Sequence, residues 1–191
     1  GGMGDGGMIV TNDEELEDRV RLYSGHGMRP RYYHKVIGIN SRLDSMQAAV
    51  LNVKINYLDD AVAGRQRNAE LYQELFSQSG LAHEITLPVA RFGDGHVWNQ
   101  FTIRVHSEKR DELQAFLAEK NIGSAIYYPV PLHMQKCFQP LGYQPEDLPE
   151  TLKASQEVLS LPIFPELEAE EVKIVVDSVK QFFAMSQRRA A

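Results

Sequence analysis

The stretch GINSRLD, residues 38–44, places two side chains that could bind an anion just before a predicted helix. The amide of Asn40 can donate neutral hydrogen bonds to a phosphate, and Arg42 can offer a charged, forked guanidinium. Free backbone N–H groups and the helix dipole favour an anion at the same place. Alternatively, Asn40 stabilises the loop and Arg42 pairs with Asp44 or with a carbonyl group. The residue types alone fit a purely structural role at least as well as an anion site, and both interpretations stay open.

A second cluster of polar side chains occurs in YYPVPLHMQKCF, residues 127–138. Tyr127, Tyr128 and His133 lie around two prolines, whose fixed backbone angles suit the rim of a binding pocket. Tyrosines at the end of a strand are also common at the edge of a core, where the ring is buried and the hydroxyl is exposed to solvent. Both interpretations remain open from the residues alone.

Other types of site have little support in the sequence. The opening GGMGDGG lacks the Gly-Lys-Ser/Thr ending of a triphosphate-binding loop, and its glycines precede the predicted strand, so it predicts a tight turn. His26, His34 and Cys137 lack the spacing of metal ligands, and no metal site is expected. The chain also has no Gly-x-Ser-x-Gly turn that would present a nucleophilic serine.

The overall composition is that of a globular protein. The chain has 191 residues, of which 43% are hydrophobic and 24% are charged, with a net charge of −6. An acidic chain without a basic stripe is not expected to bind nucleic acid. The apolar runs are far too short to span a membrane, and no export signal is visible at the start. The single cysteine fits a reducing compartment, so we expect a cytoplasmic protein.

Residues 1–80 form the first predicted region, which carries the anion-site stretch. The pattern predicts a short strand at residues 8–11, a helix from Asp13, an irregular loop at residues 24–40 and a long helix at residues 44–76. The loop contains three glycines and a proline, which favour irregular backbone. The anion-site residues would thus lie between a loop and a helix start.

The start of the long helix carries its own signals. Asp44 is a good N-cap, and Gln47 stands where a capping box places its reciprocal acceptor. Gly64, inside the predicted helix, either kinks it or allows close packing, and the sequence does not decide between these.

Residues 90–191 form the second predicted region, which has the pattern of a complete α+β unit. We predict a strand in HVWNQFTIRV, a helix with Leu113, Phe116 and Leu117 on its core face, and a second strand in GSAIYYPVPL. A short helix is predicted in PETLKASQEVLSLP. The last helix places six apolar residues on one face: Val172, Val175, Val176, Val179, Phe182 and Phe183. This order predicts a small sheet covered on one side by helices.

Taken together, these stretches resemble the sugar aminotransferases of the DegT/DnrJ/EryC1/StrS type, which are pyridoxal-phosphate enzymes of fold type I. The matching segments occur in family order through nearly the whole chain: GDGGMIVTND, the HG at 26–27, IGINSRLDSMQAAVL with Lys54, YYPVPLH and LSLPIFPEL. NSRLDSMQAA is the most specific of them and the glycine turn the least. Family members are about twice as long, so the resemblance covers their C-terminal half.

The resemblance implies an α/β fold, made of the end of the large cofactor-binding domain at residues 1–80 and a small C-terminal α+β domain at residues 90–191. In the family the glycine turn closely follows the lysine that forms the Schiff base with the cofactor, which would lie upstream of Gly1. Neither Lys35 nor Lys54 takes its place. The 191-residue chain is therefore expected to be inactive until the upstream half is supplied.

The resemblance also assigns roles to the two clusters. Asn40 matches an asparagine that reaches into the neighbouring subunit of a homodimer and donates to the cofactor phosphate. Arg42 matches an arginine that contacts the nucleotide-sugar in some members. Tyr127, Tyr128 and His133 match a cluster that lines the nucleotide-sugar side of the partner's pocket, with Tyr127 standing where the family usually has histidine.

The implied reaction moves an amino group from glutamate to a keto group on a nucleotide-linked sugar, with pyridoxal phosphate as the cofactor. One alternative is a dehydratase relative that uses the same cofactor on a deoxysugar. Another is a non-catalytic protein that keeps the fold as a sugar-nucleotide-binding or dimerisation module. The residue at the position of the upstream lysine would separate the aminotransferase from the dehydratase.

Overall fold

The computed structural model describes residues 1–91, 93–106 and 108–190. The chain divides into two compact units, Gly1–Leu58 and Asp59–Ala191. Each unit is considered by itself below.

The first unit contains two helices and a long connection between them. Helix α1 spans Glu14–Ser24, and the side chain of Asp13 caps it by accepting the N–H groups of Glu15 and Leu16 at 2.9 and 3.1 Å. Helix α2 spans Ser45–Lys54 and continues into a 3₁₀ turn. The capped N-terminus confirms the helix that the sequence predicts from Asp13.

The strand predicted at residues 8–11 is wrong. This segment is not a strand, because no other part of the described chain pairs with its backbone. The side chains of Met8, Ile9 and Val10 are 84%, 68% and 83% exposed. An apolar pattern favours a strand, but a strand also needs a hydrogen-bonded neighbour, which a local pattern cannot supply.

The capping box predicted at the start of α2 is also wrong. Asp44 occupies the N-cap position, but its side chain makes no capping hydrogen bond. The side-chain oxygen of Gln47 accepts the backbone N–H of Met3 at 2.8 Å instead. Gln47 thus ties the glycine-rich turn to α2, and a tertiary contact replaces the local one.

The second unit is built on a three-stranded antiparallel sheet in the order β1-β2-β3, with β1 at Ile85–Thr86, β2 at Phe101–Val105 and β3 at Val158–Leu161. Within its described residues it also contains four α-helices: α3 at Leu58–Ser77, α4 at Arg110–Glu119, α5 at Pro149–Glu157 and α6 at Ala169–Ala190. Helix α3 begins at the boundary between the units, and its buried residues belong to the second unit.

The core of the second unit follows the predicted periodicities. Phe101, Ile103 and Val105 alternate along β2 and are fully or almost fully buried, which confirms the strand predicted there. Opposite them in the register, Phe101 pairs with Leu161 and Ile103 with Leu159. The six residues predicted as the apolar face of the last helix are all buried. Sheet and helices therefore share one hydrophobic core.

Two predictions for this unit are wrong. The segment GSAIYYPVPL is not a strand and makes a single bridge, between Ala125 and Ser160. The third strand is VLSL, residues 158–161, which we predict as the end of a helix. Helix α5 ends at Glu157, and the next four residues pair with β2 because that strand offers them an open edge. The pairing depends on a strand more than fifty residues away.

The boundary between the units lies earlier than the break that the sequence indicates at residues 80–90. The predicted long helix is interrupted by the 3₁₀ turn Ile55–Tyr57, and α3 packs with the second unit. Ala69, Tyr72 and Phe76 of α3 are buried, and the rings of Tyr72 and Phe101 stack with centroids 4.7 Å apart. Burial of this face therefore assigns α3 to the second unit.

Gly64 allows close packing of α3, which decides the question that the sequence leaves open. A Cβ atom at this position would lie 2.7 Å from the carbonyl oxygen of Pro165 and 2.9 Å from its Cα. These atoms belong to the backbone and cannot turn away. The helix can therefore approach the segment after β3 only because residue 64 has no side chain.

We expect Gly64→Ala to destabilise the second unit by about 1–3 kcal/mol, because the added methyl group would push apart two packed backbones. The sign of the change in the free energy of unfolding is diagnostic, because Gly→Ala in a helix without close neighbours stabilises the helix by about 1 kcal/mol. Urea unfolding monitored by circular dichroism measures the difference. Gly123→Ala is the matched control, because a Cβ there would meet nothing within 4 Å. A Gly64→Ala protein as stable as the wild type would contradict the close approach.

Candidate functional site

In the first unit, Asn40 lies at the end of a loop that is hydrogen-bonded to the C-terminus of α1. The N–H of Ile39 donates to the carbonyl of Tyr23 at 2.8 Å, and the N–H of His26 donates to the carbonyl of Ile39 at 3.0 Å. The N–H of Ser41 donates to the carbonyl of Ser24 at 3.0 Å, which completes a bridge between Gly25 and Asn40. The backbone at Asn40 is therefore held on both sides.

Two glycines allow this loop to close. Gly27 has φ +68, and a Cβ there would lie 1.9 Å from the carbonyl oxygen of Val36. A Cβ at Gly38 would lie 2.3 Å from the backbone N of Gly27 and 2.6 Å from the carbonyl oxygen of Tyr23. Two backbone segments thus cross at van der Waals contact, which only glycine permits.

The side chain of Asn40 is free to bind a ligand. Asn40 is exposed, and its amide has no hydrogen-bond partner in the part of the chain that the structure describes. Arg42, two residues later, forms a pair with Asp44, with 3.4 Å between Nε and Oδ1. Both partners are largely exposed, so the pair contributes little stability and a stronger anion could displace it. Arg42 therefore forms the pair with Asp44 that the structural interpretation expects. Asn40 makes no side-chain hydrogen bond to the described residues by which it would stabilise the loop.

Asn40 and Arg42 line one open cleft of about 910 Å³ in the first unit. The glycine-rich turn and the extended segment after it also line this cleft, including Gly6, Gly7 and Thr11. The turn thus contributes backbone to the same cleft as the two predicted anion ligands. This arrangement offers a neutral amide, a guanidinium and backbone groups to a phosphate-bearing molecule.

The three other predicted site residues lie in the second unit, between α4 and α5. Tyr127 and Tyr128 are 45% and 71% exposed, with ring centroids 5.6 Å apart. His133 lies in a short 3₁₀ turn. Its imidazole ring and the ring of Tyr143 make an edge-to-face contact with centroids 6.2 Å apart. Its Nε2 atom is buried and has no hydrogen-bond partner among the described residues. The structure therefore places the tyrosines at the surface and turns one nitrogen of His133 inwards.

A set of polar side chains that the sequence does not indicate anchors the segment after β3. From α3, Arg65 Nη1 donates to the carbonyl of Ile163 at 2.8 Å, and Asn68 Nδ2 to that of Phe164 at 2.9 Å. The hydroxyl of Tyr72 donates to the carbonyl of Pro162 at 2.9 Å, and burial raises the pKa of this phenol. Three successive carbonyl groups thus accept from one helix.

Arg65 also connects this segment to the start of β2. The same Nη1 atom lies 3.2 Å from the carbonyl oxygen of Trp98 and 3.3 Å from that of Asn99. The sequence around Arg65 does not indicate these contacts, because the accepting carbonyl groups are 33 to 98 residues away in the chain.

Two further kinds of site are absent from the described residues. Residues 1–91, 93–106 and 108–190 contain no group of three or more His, Cys, Asp or Glu side chains that could hold a metal ion. None of the helices in these ranges combines the length and apolarity needed to cross a bilayer.

Comparison with known proteins gives one consistent result. Residues 2–180 match the model of the DegT/DnrJ/EryC1/StrS aminotransferase family. The chain is 48% identical over 183 residues to a pleiotropic regulatory protein of Geobacillus stearothermophilus. This alignment covers 96% of the chain and 48% of the Geobacillus protein. It is 40% identical over 177 residues to the dTDP-3-amino-3,6-dideoxy-alpha-D-galactopyranose transaminase of Aneurinibacillus thermoaerophilus. That alignment covers 93% of the chain and 47% of the transaminase.

The fold agrees with that of a solved structure. The structure of S. venezuelae DesV superposes with a TM-score of 0.80 at 38% identity, covering 91% of the chain and 45% of DesV. The α/β fold expected from the sequence is thereby confirmed. The chain spans about half the length of the curated relatives that it matches.

Proposed function

Because the chain belongs to the DegT/DnrJ/EryC1/StrS aminotransferase family, we propose that it is the C-terminal portion of a pyridoxal-phosphate enzyme that aminates a keto group on a nucleotide-linked sugar. Glutamate is the proposed amino donor. The dTDP-sugar named for the Aneurinibacillus relative supports this substrate class. In this proposal residues 1–58 end the large cofactor-binding domain, and residues 59–191 form the small domain.

The observation that carries the proposal is the unpartnered amide of Asn40, held beside Arg42 in a cleft by a closed loop. We assign Asn40 to the cofactor phosphate in the neighbouring subunit of a homodimer. A neutral amide that no residue of the described chain engages fits this role, since it can donate to a phosphate without an internal bond to break. Arg42 is assigned to the phosphates of the nucleotide-sugar, for which its exposed pair with Asp44 is a weak competitor.

When bound, the cofactor would supply the electron sink for the transfer of the amino group. The residues of this chain hold and orient the reactants. Tyr127, Tyr128 and His133 are assigned to the nucleotide-sugar side of the site. The lysine that moves the proton is assigned to the upstream half, and the 191-residue chain alone is proposed to be inactive.

We expect a chimera to test this proposal directly. The N-terminal half of the Aneurinibacillus relative, up to and including its Schiff-base lysine and the residues that align just before Gly1, is joined to this chain. The purified chimera is expected to be yellow with pyridoxal phosphate. It should convert dTDP-3-amino-3,6-dideoxygalactose and 2-oxoglutarate to the corresponding dTDP-linked 3-keto sugar and glutamate, and a coupled glutamate assay measures the reaction.

The 191-residue chain alone is the control and should give neither colour nor glutamate. A chimera that remains colourless in excess cofactor, yet binds nucleotide-sugars, would support the non-catalytic alternative instead. The dehydratase alternative depends on the residue at the position of the upstream lysine, which the chimera takes from the relative, so sequencing the gene upstream of Gly1 tests it instead.

A further inference from the structure

The loop before Asn40 contains His34, whose side chain is not part of the proposed chemistry. Residues 27–35 form a hairpin, here the loop hairpin, in which Met28 and His34 pair in an antiparallel bridge. Two backbone hydrogen bonds of 2.8 and 2.9 Å close the hairpin on either side of this bridge. The position of His34 in the loop is therefore set by backbone pairing.

The loop hairpin is also tied to α1 by an ion pair. Nη1 of Arg29 lies 2.6 and 2.7 Å from the two carboxylate oxygens of Asp18. Both side chains are about half exposed, so the pair contributes little to the stability of the unit. It nevertheless restricts the positions that the hairpin can take beside α1.

His34 reaches the backbone beside Asn40 through a single residue, His26. Nδ1 of His34 lies 2.9 Å from the carbonyl oxygen of His26, and this nitrogen donates because a carbonyl oxygen can only accept. The N–H of His26 in turn donates to the carbonyl of Ile39 at 3.0 Å. Ile39 directly precedes Asn40, so two hydrogen bonds connect the imidazole of His34 to the backbone that presents the Asn40 amide.

His26 is a residue that needs to be held in place. Its φ angle is +63, in the left-handed region, which is unfavourable for a residue with a Cβ atom. Such a conformation persists only where the surrounding structure fixes it. Ile39 fixes His26 through its N–H, and His34 fixes it through its carbonyl. Without the bond from His34, His26 is expected to relax and to move Ile39 with it.

We propose that His34 is a positioning residue for Asn40. It holds His26, and His26 holds Ile39, so that the amide of Asn40 is presented to the cofactor phosphate of the neighbouring subunit. The role in cofactor binding rests on the proposed function, whereas the fixing of the backbone beside Asn40 does not. In this inference His34 touches neither cofactor nor substrate and acts only through Asn40.

Hydrogen exchange of the 191-residue chain tests the local part of the inference. In His34→Ala, the amides of His26 and Ser41 are expected to exchange about three- to tenfold faster, the value of one hydrogen bond. His34→Asn should restore slow exchange, because Nδ2 of asparagine occupies the same position along the side chain as Nδ1 of histidine.

His83→Ala is the matched control, since His83 is an exposed histidine of the second unit without a hydrogen-bond partner among the described residues. It should leave the exchange of both amides unchanged. Exchange in His34→Ala at the wild-type rate would overturn the inference. Because His34 is exposed, loss of folding is not expected in its variants, and circular dichroism verifies this.

The chimera tests whether His34 acts through Asn40. His34→Ala should weaken retention of pyridoxal phosphate about three- to tenfold, and His34→Asn should restore it. In a chimera that already carries Asn40→Ala, adding His34→Ala should have no further effect, because the positioned amide is gone. An equal loss with and without Asn40 would indicate a general structural role for His34 and would contradict the inference.

These measurements separate failure of this inference from failure of the proposed function. If Asn40→Ala weakens retention while His34→Ala does not, the positioning role is refuted and the aminotransferase proposal stands. If the chimera binds no cofactor, the aminotransferase proposal is refuted. Faster exchange in His34→Ala that His34→Asn reverses still supports the positioning of Asn40 in that case.

Discussion

Gly38→Ala is expected to disrupt the loop that carries Asn40, at a cost of about 3 kcal/mol or more, because the added Cβ would overlap backbone atoms that cannot rotate away. It would lie 2.3 Å from the N of Gly27 and 2.6 Å from the carbonyl carbon of His26. Hydrogen exchange provides the local measurement. The amides of His26, Ile39 and Ser41, which are hydrogen-bonded in the wild type, should exchange much faster in the variant.

Gly7→Ala is the control for Gly38→Ala, because a Cβ at residue 7 would meet nothing within 4 Å. It should leave exchange at these three amides unchanged. In the chimera, Gly38→Ala should also lower cofactor retention, since the displaced loop no longer presents Asn40. Wild-type exchange rates in Gly38→Ala would show that the loop and the C-terminus of α1 are further apart than the structure has them.

Asn40→Ala is expected to weaken retention of pyridoxal phosphate in the chimera by about 10- to 100-fold, the value of a hydrogen bond to a charged group. Absorbance of the protein during dialysis measures the retained cofactor. Because Asn40 is exposed and makes no hydrogen bond within the described chain, its replacement should not alter stability. The change therefore separates binding from folding. Retention equal to that of the parent chimera would refute the phosphate role.

A mixed dimer tests whether Asn40 acts in the neighbouring subunit. Asn40→Ala subunits are combined with subunits whose Schiff-base lysine is replaced, and activity is measured at a cofactor concentration where neither parent is active. If Asn40 acts in trans, each mixed dimer has one site with both lesions and one with neither, so random pairing leaves about a quarter of all sites intact. If Asn40 acts within its own subunit, every site is damaged and no activity returns.

The sequence predicted the elements whose signals are local. The six apolar residues of α6 repeat at helical spacing, and the alternation at Phe101, Ile103 and Val105 marks β2. Each pattern is read within one element, and the structure buries all of these side chains. The anion site at Asn40 and Arg42 is also predicted from local features, the residue types and their position before α2, and it stays a prediction.

The wrong predictions share one cause, which is that pairing depends on distant residues. Residues 8–11 have a strand pattern, yet no described neighbour pairs with them. Residues 158–161 continue a helical pattern, yet they pair with β2. Gln47 is placed for a capping box, yet it accepts the N–H of Met3. In each case local preference amounts to a fraction of a kcal/mol per residue, and tertiary contacts override it.

The sequence by itself determined the family, the apolar faces and the candidate ligands Asn40 and Arg42, because residue type, periodicity and motif order are properties of the chain alone. Only the tertiary structure decided that Gly38 lets two backbones cross and that Gly64 lets α3 reach the segment after β3. It also decided that one nitrogen of Arg65 donates to the carbonyls of both Asn99 and Ile163. These contacts join residues far apart in the sequence, and their free energy exists only when the chain has brought both partners within a few ångströms.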